Sequence, residues 1–172
     1  MSEKYKDSEL LVRQARREDM AAVAEMIQEL ADFEKMPEGP KLSVKDLERD
    51  CFDLQPAAFR CKVAELPSAG HIVGYAIYFP TYSTWEGRAL MLEDLCVRRG
   101  ARGRGAGGRL FDAVAEEAAG IGSRLDFHVL EWNPARAFYE ARGALNLTQR
   151  EHWCYYRLAG DALHALARST LN

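Results

Sequence analysis

Apolar residues in the N-terminal third of the chain occur first as a short run and then at helical spacing. The run LLVRQA over 10–15 is short and aliphatic, which predicts a strand. In the next segment, REDMAAVAEMIQELADF, apolar side chains recur at helical spacing, and Asp19 is placed to cap the helix start. After the break KMPEGP, the segment SVKDLERDCF predicts a second helix, with Ser43 as N-cap and Asp46 closing a variant capping box.

The middle of the chain changes to short runs rich in aliphatic, aromatic and β-branched residues. FRCKVAEL, HIVGYAIYF and ALMLEDLCV are separated by the turn-forming segments PSAG and YSTWEGR, which predicts an antiparallel meander ending near Val97. Beyond it we predict a helix (GRLFDAVAEEAA), a strand (RLDFHVL), a helix from Pro134 to Gly143, a late strand (HWCYYRL) and a final helix (DALHALARS). The expected fold class is therefore α/β, with a mixed, mainly antiparallel central sheet flanked by helices. We expect one domain over 9–172 after a flexible N-terminal tail over 1–8.

Composition argues against several classes of protein. The 172 residues have a formal net charge of −3, so the overall basic charge of a nucleic-acid-binding protein is missing. The cysteines form no C-x-x-C pair and have no histidine at metal-ligand spacing, which argues against a zinc site and against a disulfide scaffold. The N-terminus MSEKYKDSELLV has no apolar signal core, and the apolar runs are too short for a bilayer. We expect a cytoplasmic protein with no metal, no membrane partner and no nucleic-acid partner.

The segment RRGARGRGAGGRLF lies between a predicted strand and a predicted helix. Glycines at such a junction bring backbone N–H groups close to a ligand, and a helix start favours a pyrophosphate. Arg102 and Arg104 can add charge-assisted hydrogen bonds. The segment lacks G-K-[ST], and although Gly103, Gly105 and Gly108 match G-x-G-x-x-G, the preceding meander contradicts a dinucleotide-binding parallel sheet. A disordered basic arm is disfavoured because apolar strand and helix patterns reach both ends of the segment.

The same segment contains R-x-x-G-x-G from Arg102 to Gly107, which resembles the acetyl-coenzyme-A loop of the GNAT superfamily of N-acetyltransferases. The predicted order of strands and helices also matches that superfamily. The blocks ELADFEKM, YSTWEGR, LEDLCV, RGRGAGGRL, VLEWN and FYEARGA are similar to the spermidine/spermine N1-acetyltransferase family. FEK and YSTWEGR favour its thialysine N-epsilon-acetyltransferase branch. The resemblance extends from about Leu11 to Leu166 and implies the acetyl-CoA N-acyltransferase (GNAT) fold.

The resemblance implies roles for particular residues, with acetyl-CoA as co-substrate and a homodimer as the assembly. The coenzyme would be held by Leu95, Cys96, Val97, Arg102, Gly103, Arg104, Gly105, Ala106, Gly107, Gly108, Asn133, Pro134, Ala135 and Arg136. Tyr139 would be the acid near the sulfur, and Glu93 the acidic residue near the incoming amine. The substrate side would be lined by Phe33, Glu34, Glu93, Asp94, Phe127 and Glu151.

One spacing departs from the family pattern. In NPARAFY the step from Asn133 to Tyr139 is six residues, where the family usually has seven. One residue corresponds to about 100° around a helix, so the missing residue must be absorbed before the helix begins. The shorter spacing gives less support to the implied coenzyme contacts of Pro134–Arg136 than to the role of Tyr139. Tyr139 still matches the family pattern through the segment FY…RGA.

The residues themselves single out Glu93 and Asp94, because carboxylates are unusual in an apolar strand. Strand alternation predicts opposite faces for the two, and each must be exposed, paired or functional, since an unpaired buried carboxylate is costly. An ion pair with Arg88 or Arg102 is the structural alternative. An alkyl ammonium has a pKa of about 10.4, so a carboxylate that accepts its proton would assist attack on a thioester. Tyr139 could then protonate the departing thiolate, or it could simply be a core aromatic.

Other polar residues keep two interpretations at this point. Cys96 has no partnered histidine, so a small buried hydrophobe explains it better than a nucleophile does. The acidic residues Asp32, Glu34 and Glu38 after the first helix form either a recognition patch for a cation or a solvated helix end. Arg98 and Arg99 are either solvated or within reach of the coenzyme's 3′-phosphate.

These observations favour an acetyl-CoA-dependent N-acetyltransferase that acts on a primary amine of a small cationic substrate. A thialysine-like amino acid, a diamine and a polyamine are the candidates. Direct attack by the amine would use Glu93 for deprotonation, itself or through water, and Tyr139 near the leaving thiolate. A protein or peptide lysine acetyltransferase is the rival enzyme, and a non-catalytic coenzyme- or nucleic-acid-binding module is the rival from another class.

Overall fold

The computed structural model describes residues 10–67 and 70–169, and the expected tail over 1–8 lies outside the described residues. The chain forms two compact units, the first ending at His128 and the second beginning at Val129. Among the described helices, none combines the length and the apolar character that a bilayer crossing needs.

A five-stranded sheet, with its strands in sequence order, forms the first unit. Strands β1 (Leu11–Gln14), β2 (Arg60–Leu66), β3 (His71–Ser83) and β4 (Gly87–Val97) are antiparallel neighbours. Strand β5 (Leu125–Phe127) is parallel to β4 and shorter than the predicted run RLDFHVL. The mixed, mainly antiparallel sheet and its meander are therefore confirmed.

Helices α1 (Met20–Phe33) and α3 (Ala106–Ile121) cover opposite faces of the sheet. Tyr75 on β3 belongs to a buried cluster that includes Met20, Val23 and Met26 of α1. Tyr78, an odd number of residues further along the strand, points to the other face, where its hydroxyl donates to Glu117 of α3 at 2.7 Å. The core thus has one apolar layer on each side of β3.

Helix α2 (Val44–Glu48) begins as the sequence predicts. The backbone N–H of Asp46 donates to Ser43 Oγ at 3.3 Å, and the N–H of Ser43 donates back to Asp46 at 2.9 Å. This capping box satisfies donors that a helix start leaves without intrahelical partners.

The predicted cap at the start of α1 is wrong. Asp19 makes no side-chain cap for that helix. Its carboxylate instead accepts from the backbone N–H of Arg16 at 2.7 Å and pairs with the guanidinium of Arg13 at 2.6 Å. A 3-10 turn over Arg17–Asp19 precedes α1, so the acidic side chain closes that turn and ties it to β1.

The second unit contains α4 (Arg136–Glu140), α5 (Leu147–Glu151) and α6 (Gly160–Ser169). The final helix is confirmed, and α4 forms the centre of the helix predicted from Pro134. The predicted late strand over 152–158 is wrong, because those residues are exposed and have no regular structure. A strand needs a neighbour to pair its backbone groups, and a segment rich in aromatic residues cannot supply one by itself.

Candidate active site

Strand β4 has β3 along one edge for its whole length but β5 along only part of the other. The ladder to β5 joins Leu90–Leu92 to Leu125–Phe127, whereas the ladder to β3 continues to Val97. Within the described residues, no strand pairs with the far edge of β4 over 93–97. We call this stretch the open edge, since its backbone groups are left for another partner.

The direction of one peptide fixes which groups lie on the open edge. The N–H of Arg98 donates to the carbonyl of Val73 on β3 at 2.8 Å. The carbonyl of Val97 belongs to the same planar trans peptide, so it points away from β3. In a strand the N–H and the carbonyl of one residue point to the same edge, and successive residues alternate between the two edges. The N–H and carbonyl of Leu95 and Val97 therefore face the open edge, and those of Cys96 face β3.

Cys96 is a core residue. It is buried in the cluster beneath α1, and burial raises the pKa of its thiol to about 11. The thiol therefore stays protonated near neutral pH and is a poor nucleophile. The interpretation of Cys96 as a small buried hydrophobe is confirmed.

A β-bulge at Glu93 divides β4. Tyr78 lies opposite Leu92 and Ile77 lies opposite Asp94, so Glu93 is an extra residue without a partner on β3. The bulge leaves Glu93 exposed. Residues directly opposite each other share a face, so Leu92 faces α3 with Tyr78, and Asp94 faces α1 with Ile77. Simple alternation would have placed Leu92 and Asp94 on the same face.

Asp94 sits in an environment that opposes its negative charge. Burial is the largest cause, and the negative charges of Glu93 and Glu34 add to it, raising the pKa of Asp94 to about 6. The hydroxyl of Tyr75 donates to its carboxylate at 3.2 Å and partly offsets this. Burial also raises the pKa of Glu34, directly after α1. The structure thus brings three of the predicted substrate-side residues into electrostatic contact, and their shared negative charge favours a cation.

Sequence reasoning missed Tyr75. In HIVGYAIYF it is one of several aromatic residues, and it is fully buried in the structure. Its hydroxyl becomes part of the acidic cluster only through the register of β3 against β4. A polar atom on a buried tyrosine must find a partner, which is the one signal that could have indicated a polar neighbour.

The glycine segment forms a loop at the start of α3. A 3-10 turn over Arg99–Ala101 follows β4, and Gly103 and Gly105 then adopt left-handed conformations with φ of 75° and 81°. A Cβ added at either glycine would meet no described heavy atom within 4 Å, so conformation rather than space requires glycine there. The predicted residues Ala106–Gly108 form the first turn of α3, whose leading N–H groups have no intrahelical acceptor. This arrangement fits an anionic phosphate group.

Arg102, predicted to bind phosphate, has other partners here. Its Nε donates to the carbonyl of Val97 at 2.9 Å, and its guanidinium carbon lies 5.7 Å from the ring centroid of Phe33. Phe33 is the last residue of α1 and was predicted on the substrate side. Arg104 lies in the same loop, between the two left-handed glycines.

Arg98 is a structural residue. Its guanidinium pairs with Glu29 and, at 2.7 Å, with Glu25, both on α1, and its Nε donates to the carbonyl of Ile72 at 3.3 Å. These contacts give Arg98 a structural role that the sequence did not predict. Arg98 fastens the end of β4 to the helix that covers it.

The remaining predicted residue of the first unit is Phe127, at the end of β5. Its ring centroid lies 5.6 Å from that of Phe111 on α3, in an edge-to-face arrangement. Phe127 therefore packs against α3 and is only partly exposed. Such a contact is an ordinary element of a core layer.

The second unit holds the other predicted residues. The backbone N–H of Ala135 donates to Asn133 Oδ1 at 2.9 Å, which forms a turn through Pro134 directly before α4. On α4, Arg136 donates to the carbonyl of Glu131 at 3.1 Å, and Tyr139 is half-buried with its ring 4.9 Å from that of Phe138. Glu151 ends α5 and accepts from Trp153 Nε1 at 2.8 Å.

The open edge and the glycine loop together suit an extended ligand that has amide groups at one end and phosphates at the other. No group of three or more His, Cys, Asp or Glu side chains among the described residues could hold a metal ion. Fold and site define the class as a coenzyme-A-dependent acyltransferase, as the sequence resemblance implied. The family model for the acetyltransferase (GNAT) family matches residues 23–144, and the chain belongs to this family, whose enzymes use acetyl-CoA as co-substrate.

Individual relatives agree with this assignment. The chain is 38% identical to the thialysine N-epsilon-acetyltransferase of Bos taurus over 166 residues, which is 92% of this chain and 97% of the relative. It is 34% identical to the human spermidine/spermine N(1)-acetyltransferase-like protein 1 over 91% of this chain and 23% of that longer protein. A crystal structure of a Trypanosoma brucei acetyltransferase superposes with a TM-score of 0.69 at 24% identity, covering 88% of this chain and 99% of that one, and shows the common fold. The chain is an N-acetyltransferase.

Proposed function

We propose that this enzyme transfers acetyl from acetyl-CoA to a primary amine of a small cationic substrate: a thialysine-like amino acid, a diamine or a polyamine. The observation that supports this most is the bulged Glu93, which stands exposed beside the open edge of β4 and beside two further carboxylates. The names of the relatives agree, since the bovine protein is a thialysine acetyltransferase. We further propose a cytoplasmic homodimer.

The acidic cluster recognises and deprotonates the amine. Glu34, Glu93 and Asp94 attract an ammonium group, and Phe33 lies at the same end of α1. An ammonium with a pKa of about 10.4 is neutral in only about one molecule in a thousand at pH 7, which costs roughly 4–5 kcal/mol before any attack. Glu93, exposed on its bulge, accepts that proton directly or through a water molecule.

The open edge and the loop hold the coenzyme. Bound acetyl-CoA supplies the thioester that a neutral amine attacks. The N–H of Leu95 faces the open edge and can donate to an oxygen on which negative charge develops. Gly103 to Gly108 surround the pyrophosphate at the start of α3 with backbone N–H groups.

The resemblance to the family adds further roles to this proposal. Tyr139 protonates, or donates a hydrogen bond to, the departing thiolate, and the turn from Asn133 to Arg136 contributes to the coenzyme site. Glu151 and Phe127 belong to the substrate side in this proposal. Support for these roles comes from the resemblance of the segments VLEWN and FYEARGA to the family.

An amine panel tests the proposal. Acetyl-CoA is incubated with the protein and thialysine, lysine, a diamine, spermidine, a simple monoamine or a lysine peptide, and free thiol is followed against a reaction without amine. We expect turnover with at least one small cationic amine and a lower kcat for Tyr139→Phe. Absence of turnover with every small amine would refute the proposal, and turnover with the peptide alone would favour a protein acetyltransferase.

A further inference from the structure

One hydrogen bond occupies the last backbone acceptor of the open edge. The carbonyl of Val97 points away from β3, because its peptide partner, the N–H of Arg98, is bonded to Val73. No strand pairs with that side of Val97 within the described residues. The acceptor is occupied instead by Arg102 Nε at 2.9 Å.

The side chain of Arg102 is held in this position from a second direction. Its guanidinium lies over the ring of Phe33 at 5.7 Å from the centroid, which is within the range of a cation–π contact. The bond to Val97 connects the loop with β4, and the ring contact connects it with the end of α1. Arg102 therefore lies between the proposed coenzyme side and the proposed amine side.

We propose that Arg102 occupies the Val97 carbonyl in the coenzyme-free protein and must leave it when the pantetheine arm of the coenzyme lies along the open edge. This inference rests on the proposed function, which places an amide-bearing arm at that edge. One carbonyl lone pair in the plane of the edge cannot serve both the Nε–H and an amide N–H of the arm in good geometry. Arg102 thus competes with the pantetheine arm for the carbonyl of Val97. Its positive charge acts separately and favours binding of the phosphates.

The two contributions can be separated with two ligands. Coenzyme A has the pantetheine arm, and 3′-phospho-ADP has the same nucleotide and pyrophosphate without the arm. Loss of the guanidinium charge in Arg102→Met weakens both ligands alike, whereas loss of the competing donor helps only coenzyme A. The ratio of the dissociation constants, Kd for 3′-phospho-ADP over Kd for coenzyme A, therefore reports the competition alone.

Calorimetry on the full chain measures this ratio. We expect it to rise about two- to tenfold in Arg102→Met, the range for one exchanged hydrogen bond. Arg104→Met removes the same charge from the same loop and should leave the ratio unchanged. An unchanged or smaller ratio in Arg102→Met would overturn the inference.

NMR gives a second readout without any reaction. In the free protein the Nε–H proton of Arg102 should resonate downfield of a solvated arginine because of its bond to Val97. It should stay there with 3′-phospho-ADP and move to the solvated position with coenzyme A, and an unmoved signal in the coenzyme A complex would also overturn the inference. If coenzyme A does not bind at all, the proposed function fails as well, whereas binding with an unchanged ratio refutes the role of Arg102 alone.

Discussion

The two halves of β4 differ in their neighbours, although they belong to one strand. Leu90–Leu92 has β3 on one side and β5 on the other, and Leu90 and Leu92 are buried. Beyond the bulge at Glu93, residues 94–97 have β3 alone as a partner strand within the described chain. We call these the closed half and the open half.

The difference shows how one sheet can be both scaffold and site. Paired backbone groups on both edges stabilise the closed half but leave it nothing to offer a ligand. Glu93 is exposed at the bulge, and the open half that follows has a half-buried carboxylate beside Tyr75 and backbone groups that pair with no strand on one edge within the described chain. Changes in the closed half should therefore alter folding, whereas changes at the bulge and in the open half should alter chemistry, binding or the pH dependence that Asp94 gives to stability.

The largest effect is expected at the bulge. Glu93→Gln removes the proposed proton acceptor and should lower kcat/KM by about 10²- to 10⁴-fold at pH 7, the usual contribution of general-base catalysis. Steady-state kinetics with the best amine of the panel measures the change. Glu116→Gln, at an exposed position on α3, is the matched control and should change little. Full activity of Glu93→Gln would remove this residue from the mechanism.

A strong effect on folding is expected beside the closed half. A Cβ on Gly122 would lie 1.8 Å from the carbonyl oxygen of Arg88, which accepts a bond from the N–H of Ser123 at 3.1 Å. Gly122→Ala should therefore lower the free energy of unfolding by about 2–4 kcal/mol, as measured by urea titration. Gly120→Ala, where a Cβ meets nothing within 4 Å inside α3, should instead stabilise by about 0.5–1 kcal/mol. Equal effects of the two substitutions would contradict the close approach.

An intermediate effect is expected at Asp94, and it should depend on pH. Its pKa is raised to about 6, so between about pH 4 and pH 6 the folded state keeps a proton that the unfolded state has lost. Because of this carboxyl, the free energy of unfolding falls as the pH rises from about 4 to 6, and it stays lower at higher pH. Asp94→Asn should be more stable than the parent by about 1–3 kcal/mol at pH 7.5 and nearly equal to it at pH 4. Urea titrations at both values measure the difference, and a gap independent of pH would refute the assignment.

The smallest effect is expected in the loop that follows the open half. Gly103 has a φ of 75°, which costs an L-residue about 1 kcal/mol or slightly more. Gly103→Ala should weaken coenzyme A binding about fivefold by calorimetry, since the loop must hold its shape. Gly100→Ala lacks this backbone requirement and should bind normally. Similar affinities of the two variants would show that the left-handed conformation is not needed for binding.

The sequence predicts the fold correctly where the residues that pair with each other lie close together in the chain. The meander, the capping box at Ser43 and the helix after the glycines are confirmed because each depends on neighbours in the chain. The predicted cap at Asp19 is wrong, because Arg13 on β1 and the 3-10 turn before α1 take its carboxylate. The strand predicted over 152–158 is absent because aromatic residues favour a strand but do not supply its partner.

The sequence alone indicated the class of chemistry, because the motifs that resemble the GNAT family are residue types at short spacing. The glycines before α3 and the carboxylates Glu93 and Asp94 lie within one short segment, and no tertiary contact is needed to see them. Only the tertiary structure decided how they are placed. One extra residue in a strand register turns Asp94 toward α1 and Tyr75, and the approach of the loop to β4 gives Arg102 the carbonyl of Val97. The register of the packed sheet brings Asp94 to Tyr75, and Arg102 reaches Val97, five residues earlier, because the loop turns back on β4; residue spacing alone encodes neither contact.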